Sequence, residues 1–543
     1  MTPSSALPEL IQQMLQPGFY PHSVTLPIEL IQTHISYIFL TGDFAYKVKK
    51  PLDFGFLDFT TLEKRHHFCL EELRMNQRGA PDLYLEVLPI SQADGDPYQL
   101  AGHGEAVEYV LKMRQFPQEA LFSRLFEQGE LTIGHMEALG RVVAEFHAQT
   151  LTNPRIREFG RVEQVREAFD QNYEQTEAYI GGPQTLQQFE ETRAYTDHFF
   201  ANNVSLFEQR MAQDRIRECH GDLHLRNICL WENKILLFDC IEFNESFRFV
   251  DVMYDIAYGV MDLDALGRPD LGNAYLNTYL EMTGDWEGLQ VLPIYLNRQS
   301  YVRAKVISFL LGDPSAPESV KAEASKTAAS YYHLAWSYTQ PQQGGIWVMA
   351  GLSGSGKSTV ARHLARQQQA IHIRSDAVRK HLAGIPLYGS GGAEVYSPQM
   401  TQQTYQRLED LGCLLACQGY RVILDAKYDQ QGVRESLLNR ADQQGIPIAM
   451  IHCFAPPAVL QERLRKRADA RSPVDSPTPQ WEIGTTAFSP DIADATVDLI
   501  DQQLAQWQPF STQELERMIA LDTDGDWQAQ ISQTNWRGKK PTE

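Results

Sequence analysis

The feature that most constrains the fold is Ile346-Trp-Val-Met-Ala350 running without a gap into Gly351-Leu-Ser-Gly-Ser-Gly-Lys-Ser358. Five apolar residues bounded by glycine read as a short buried strand, and Thr359-Val-Ala-Arg-His-Leu-Ala reads as the first turns of a helix. Between them lies G-x-x-x-x-G-K-[ST], in the strand–loop–helix context that gives this pattern its meaning. Gly351, Gly354 and Gly356 let backbone N–H groups converge, Ser353, Ser355 and Thr359 add hydroxyls, and the helix N-terminus adds a favourable dipole. The spacing therefore specifies a phosphate cradle. Lys357 is placed to reach β- and γ-phosphates and Ser358 to hold Mg²⁺.

A second constellation lies far upstream, in His220-Gly-Asp-Leu-His-Leu-Arg-Asn227, followed by the apolar strand Ile235-Leu-Leu-Phe238 and Asp239. Phosphoryl transfer needs a carboxylate to accept the acceptor's hydroxyl proton, an amide to hold metal, and a second carboxylate to bridge metal and phosphates. Asp222, Asn227 and Asp239 supply these, with the kinase spacing D-x-x-x-x-N. His-Gly-Asp replaces the His-Arg-Asp of protein kinases, and His224 follows two residues later. In this form the loop resembles the aminoglycoside phosphotransferase and choline kinase family. The resemblance implies a two-lobed, protein-kinase-like α+β fold with ATP and Mg²⁺. It also matches Asp255, in Val250-Asp-Val-Met-Tyr-Asp-Ile-Ala257, to an aspartate that braces the catalytic loop, and leaves Asp251 as a helix cap.

The region before the loop fits a kinase N-lobe. His34–Leu40, a Thr41-Gly-Asp turn and Phe44-Ala-Tyr-Lys-Val-Lys-Lys50 read as paired strands. Lys47 and Lys49 share a strand face, so alternation does not choose which one binds phosphate; the resemblance favours Lys47. A helix over roughly 61–78 offers Glu72, with Glu71 beside it, as the carboxylate that orients the lysine. No Gly-x-Gly-x-x-Gly covers the phosphates, which leaves Thr33-His-Ile-Ser36 for that place. Glu108–Pro117 reads as a strand running into the hinge, and helical patterns then continue to about 338.

After the phosphate cradle, Ile371-His-Ile-Arg-Ser-Asp-Ala-Val-Arg-Lys380 is a second strand ending at Asp376, with Arg379 three residues on. This resembles the substrate loop of P-loop kinases acting on hydroxyls: polynucleotide 5′-kinases, gluconate-type sugar kinases and zeta-toxin-like nucleotide-sugar kinases. The resemblance makes Asp376 the proton acceptor and Arg379 a contact to an anionic part of the acceptor, although Asp376 also suits a helix N-cap. Tyr420-Arg-Val-Ile-Leu-Asp425 is a third strand, whose Asp425 either holds the Mg²⁺ water shell or meets the acceptor. Arg463 and Arg467, at i and i+4 in Gln461–Arg467, together with Arg471, read as a lid that neutralises the migrating phosphoryl group.

The expected organisation is a kinase-like N-lobe over 1–117, a helical C-lobe over 118–338, a polar Pro/Gly linker over 339–345, and an α/β P-loop domain with a mainly parallel sheet over 346–530. Hydrophobic residues at 43% and charged residues at 22% describe an ordinary globular chain. No apolar run approaches a membrane span, and seven scattered cysteines without Cys-x-x-Cys point to a reduced, cytoplasmic protein. The net charge of −21 disfavours a general nucleic-acid binder. These readings converge on a bifunctional ATP-dependent phosphotransferase acting on hydroxyls of small molecules. The alternatives are one active half with a nucleotide-binding regulator, or a nucleotide-gated ATPase.

Overall fold

A computed structural model describes residues 7–93, 97–389, 391–469 and 499–532. They form two compact units, between which the chain passes repeatedly. The first holds the described residues up to Leu131 with Glu145–Ala168 and Phe200–Gly259; the second holds Thr132–Ala144, Phe169–Phe199 and the described residues from Val260 onward.

The first unit is built on a six-stranded antiparallel sheet of β1 (Glu29–Gln32), β2 (Ser36–Leu40), β3 (Phe44–Lys49), β4 (Tyr84–Gln92), β5 (Gln99–Leu100) and β6 (Glu105–Arg114), in the order β1-β2-β3-β6-β4-β5. One face carries Phe39, Tyr46, Val48, Ile90 and Val110 into a core shared with Ile11, Met14 and Tyr20. Helix α1 (Leu62–Asn76) packs on β4 and β6 and starts where the Thr61 hydroxyl accepts from the Lys64 N–H. Two hairpin-like pairs follow: β7 (Ile216–Glu218) with β10 (Phe249–Asp251), and β8 (Ile228–Trp231) with β9 (Lys234–Leu237). Strand β4 escapes the sequence pattern because Pro89 and two register irregularities blur its alternation.

Among the helices are α2 (Ile133–Gln149), α3 (Val252–Ala265), α4 (Pro269–Thr283), α5 (Leu292–Ser308) and α6 (Glu318–Ser337). Helices α4, α5 and α6 belong to the second unit, with the described residues of the P-loop segment. That segment holds a five-stranded sheet of β11 (Gly345–Ala350), β12 (Ile371–Arg374), β13 (Arg421–Asp425), β14 (Ile448–Phe454) and β15 (Met518–Asp522). Its order is β12-β13-β11-β14-β15, and every pairing is parallel. Parallel strands covered on both faces read as continuous apolar runs, which is why β11, β13 and β14 were legible and β15, an edge strand with one buried residue, was not. Helices α7 (Lys357–Gln368), α8 (Ser375–Ala383), α9 (Pro398–Cys417), α10 (Gln431–Gln443) and α11 (Pro457–Asp469) are joined by shorter ones at Leu499–Gln506, Thr512–Glu516 and Trp527–Ser532. Val360 and Leu364 of α7 meet Trp347, Met349, Ile423 and Ile451 in its core.

The compact units do not divide at the expected linker over 339–345. Gly345 already opens β11, and a Cβ at Gly344 would lie 2.0 Å from the Ala416 carbonyl oxygen and 2.8 Å from that of Tyr420. Close backbone approach, rather than tethering, explains the glycines there.

Candidate active sites

In the first unit, the segment 220–227 connects β7 to β8 and is pinned from beneath by Asp255 at the start of α3. The Asp255 carboxylate accepts from the backbone N–H of His220 (2.7 Å) and of Gly221 (2.8 Å) and meets His147 Nε2 at 3.1 Å. Burial opposes its charge, but these bonds and the neighbouring histidines win and hold its carboxyl below the usual range. Gly221 has φ +84°, and a Cβ there would lie 2.5 Å from the Phe247 carbonyl oxygen, so glycine is required. This accounts physically for His-Gly-Asp. The His220 ring, kept neutral by burial, meets the Phe238 carbonyl at 2.9 Å and ties the loop to the end of β9.

Asp222 and Asn227 are brought together: Asn227 Nδ2 donates to the Asp222 carbonyl (3.0 Å) and to its Oδ2 (3.2 Å), and His224 Nε2 lies 3.3 Å from the same carboxylate. Asp239, at φ +63°, sits in the left-handed region with its N–H on the Tyr84 hydroxyl at 3.1 Å. Lys47 Nζ bridges Glu72 and Asp239, 2.7 Å from each. Lys49 Nζ reaches the other Glu72 oxygen at 2.6 Å and also pairs with Glu242. Both lysines therefore meet the same carboxylate. Burial alone would discharge Glu72, yet Lys47 and Lys49 hold its carboxyl low, whereas Glu242 is pushed up by burial. Glu71 faces Arg74 and Arg248 instead. The Asp239 side chain is 47% exposed against 1% for Glu72, so the metal-bridging candidate is the one open to a ligand. Thr33–Ser36 forms the β1–β2 turn, with Thr33 Oγ1 accepting from Ser36 N–H. The chain leaves β6 through Phe116, whose ring meets Phe238 edge-on at 5.3 Å.

In the second unit, Gly351, Gly354 and Gly356 stand at φ +142°, +81° and +83°, as a cradle of backbone amides requires. A Cβ at Gly351 would fall 2.2 Å from the Cys453 carbonyl oxygen. Ser355 Oγ is buried without a hydrogen-bond partner and lies 2.7 Å from where a Cβ on Gly351 would stand. Ser353 is held by Gln503 through both its N–H and its hydroxyl, each at 3.0 Å. Lys357 Nζ donates to the Leu352 carbonyl, across the loop it closes; Ser358 and Thr359 follow in the first turn of α7. Arg463 lies against the cradle, donating to the Gly354 carbonyl (3.3 Å) and twice to Thr523, whose hydroxyl donates to the Ser355 carbonyl.

Asp425 ends β13 and is buried against His372 Nε2 at 3.0 Å. Burial raises its carboxyl, but the His372 bond and the field of His372, Arg374 and Lys357 outweigh this and hold it far below the carboxylate range. Asp376 lies in the first turn of α8. The N-cap position is Arg374, which makes no side-chain cap, and Asp376 stands two residues after it. Arg379 is drawn into the fold: it donates to the Val395 carbonyl and the Thr401 hydroxyl, each at 3.1 Å, and its guanidinium lies over the Tyr396 ring. The side chain of Arg467, and Arg471 with the rest of the expected lid, lie outside the described residues. Sequence reasoning missed His372, Gln503, Thr523 and Glu242. A histidine between two isoleucines in a parallel strand was the one available signal, because a buried polar group needs a partner.

Both donor sets are oxygen-rich, Asn227 with Asp239 and Ser358 with Asp425, which suits a hard divalent cation. Residues 102–292 match the family model of the phosphotransferase enzyme family, and residues 346–490 match that of the AAA domain. Uncharacterized proteins of Mycobacterium tuberculosis and Mycobacterium bovis are 29% identical over 452 residues, spanning 82% of this chain and 87% of theirs. Among solved structures, similarity extends to an amicoumacin kinase (13% identity, 60% of this chain and 92% of that one, TM-score 0.38). It also extends to a gluconokinase from Sinorhizobium meliloti (20% identity, 36% and 90%, TM-score 0.23). The protein is an enzyme of the kinase class. More particularly, the chain joins a segment that matches the phosphotransferase enzyme family model to a P-loop segment that matches the AAA domain model.

Proposed function

We propose that each half transfers the γ-phosphoryl group of ATP to a hydroxyl of a small molecule. The observation that carries this reading is the presence in one chain of two complete phosphate-handling sets: Lys47–Glu72–Asp239 with Asp222 and Asn227, and the glycine cradle with Lys357, Asp376 and Asp425. In the N-terminal half Asp222 takes the acceptor's proton as its oxygen attacks the γ-phosphorus, and ADP departs. His224 and Asn227 orient the carboxylate, and Lys47, aligned by Glu72, steadies the phosphate oxygens. In the C-terminal half Asp376 takes the proton, the cradle amides and Lys357 hold the phosphates, and Arg463 keeps the cradle shaped. Asn227 and Asp239 in one half, and Ser358 and Asp425 in the other, would hold Mg²⁺, which when bound would neutralise phosphate charge.

Small-molecule acceptors rather than nucleic acid suit a chain of net charge −21. Among the described residues no helix is long and apolar enough to cross a membrane. The seven unpaired cysteines suit the cytoplasm. The test is labelled ATP with cell extract as an acceptor library, followed by mass spectrometry of the products. A product lost only in Asp222→Asn reports the N-terminal acceptor, and one lost only in Asp376→Asn the C-terminal acceptor. ATP turnover with no phosphorylated product in any sample would replace this reading with a nucleotide-gated ATPase.

A further inference from the structure

Strand β12 is an edge of the parallel sheet, and an edge leaves a row of N–H and C=O groups that must be covered. Here the cover comes from α4, which lies inside the matched phosphotransferase segment. Asn273 Nδ2 and Asn277 Nδ2 each donate to the Ala370 carbonyl at 3.0 Å, and Asn277 Oδ1 accepts from the His372 N–H at 2.7 Å. The same face is fastened further along: Arg374 meets Glu281 at 3.3 Å, His381 Nε2 meets the Glu281 carbonyl at 2.8 Å, and the Tyr420 hydroxyl donates to the Leu289 carbonyl at 2.8 Å.

His372 is thus held at both ends. Its backbone N–H is fixed by Asn277 from α4, and its ring holds Asp425 Oδ2 at 3.0 Å. His372 and Asp425 are each more than nine-tenths buried, so neither has room to find another arrangement without disturbing the strand. With Oδ2 occupied by the imidazole, Oδ1 is the oxygen left for a cation or its water shell. Outer partners that orient a metal-binding carboxylate tune affinity strongly.

We propose that α4 of the phosphotransferase segment is a working part of the P-loop site: Asn277 and His372 are positioning residues that set Asp425 for the cation of the bound nucleotide. This rests on the reading of Asp425 as a cation-holding carboxylate. It makes the C-terminal site dependent on a helix encoded some eighty residues before its glycine loop, rather than self-contained in 346–530.

The test is calorimetric binding of Mg·ATP, and separately of ATP in EDTA, to the full chain carrying Asp239→Asn to disable the N-terminal site. Asn277→Leu and His372→Phe are each expected to weaken Mg·ATP binding by about tenfold or more while leaving Mg-free ATP within about twofold. Asn277→Asp keeps an acceptor for the His372 N–H, and His372→Gln keeps a donor for Asp425; both are expected to recover most of the affinity. Amide exchange in β12 should accelerate in Asn277→Leu and stay slow in His372→Gln. If Mg·ATP and Mg-free ATP weaken in parallel, or neither changes in variants that melt like the parent, the proposal is overturned. Should Asn277→Leu fail to fold, the His372 pair decides alone, since it leaves the cover of the edge intact. Failure of the transfer reaction shows independently, as ATP turnover without product, and leaves the binding comparison interpretable.

Discussion

The two phosphate-handling regions solve the same electrostatic problem with different materials. The N-terminal one collects side chains from positions 47, 72, 222, 227 and 239, among which Lys47 and Glu72 are buried and paired while Asp239 is open. The C-terminal one puts its cradle into the consecutive residues 351–358 and relies on backbone amides at glycine positions that no other residue fits. A site made of side chains fails when one charge is removed, because its partner is left buried and unmatched. A site made of backbone absorbs the loss of any one side chain more easily.

Four substitutions can break or sharpen that contrast. The largest expected effect is Asp222→Asn, which should lower N-terminal transfer by about 10² to 10⁴-fold and leave the C-terminal product unchanged, both read by product-resolved mass spectrometry. Next is Lys49→Met, which strips Glu242 of its partner; breaking a buried pair costs about 3–5 kcal/mol, read as a shift in the denaturant midpoint. Burial raises the Glu242 carboxyl while Lys49 opposes that rise, so without Lys49 burial favours the neutral form further. Stability from that neutral form is present at acid pH and lost as pH climbs through the folded value. The deficit of Lys49→Met should therefore be larger at pH 8 than at pH 5, and a pH-independent deficit would count against the paired-charge account. Lys357→Ala should cost about 10²-fold in C-terminal turnover without moving the melting temperature. The smallest effect is Ser355→Ala: its hydroxyl has no partner in the free protein, so stability should hold. C-terminal ATP affinity should fall by about threefold, the loss of one modest hydrogen bond.

The same contrast explains what could be read from the sequence. The cradle was legible because its geometry is local, and the catalytic loop because Asp222 and Asn227 are five residues apart. The lysine question stayed open because alternation places Lys47 and Lys49 on one face, and the structure uses both against Glu72. Glu242 was invisible because its partner is 193 residues away, and nothing in a linear pattern announces such a pair. Arg379 was read by its spacing from Asp376, but its Val395 and Thr401 partners sit on the segment that packs against α8. His372 left a trace, a polar residue in a strand buried on both faces, that spacing rules do not weigh. The expected linker over 339–345 does run between α6 and β11, yet its glycines also mark close backbone contact rather than slack alone.

The chain crosses between its compact units at 131/132, 144/145, 168/169, 199/200 and 259/260, five passages in all. Two independently folded segments joined end to end could be parted by one cut. This product could not: a fragment beginning at Gly345 would carry the whole glycine loop but bare the outer rim of β12, with the His372 N–H and Ala370 carbonyl seeking another strand. Such a fragment would be expected to associate with itself. The sheet edge of the glycine-loop segment is thus finished by residues from before residue 292, so a cut at 345 removes part of its own fold.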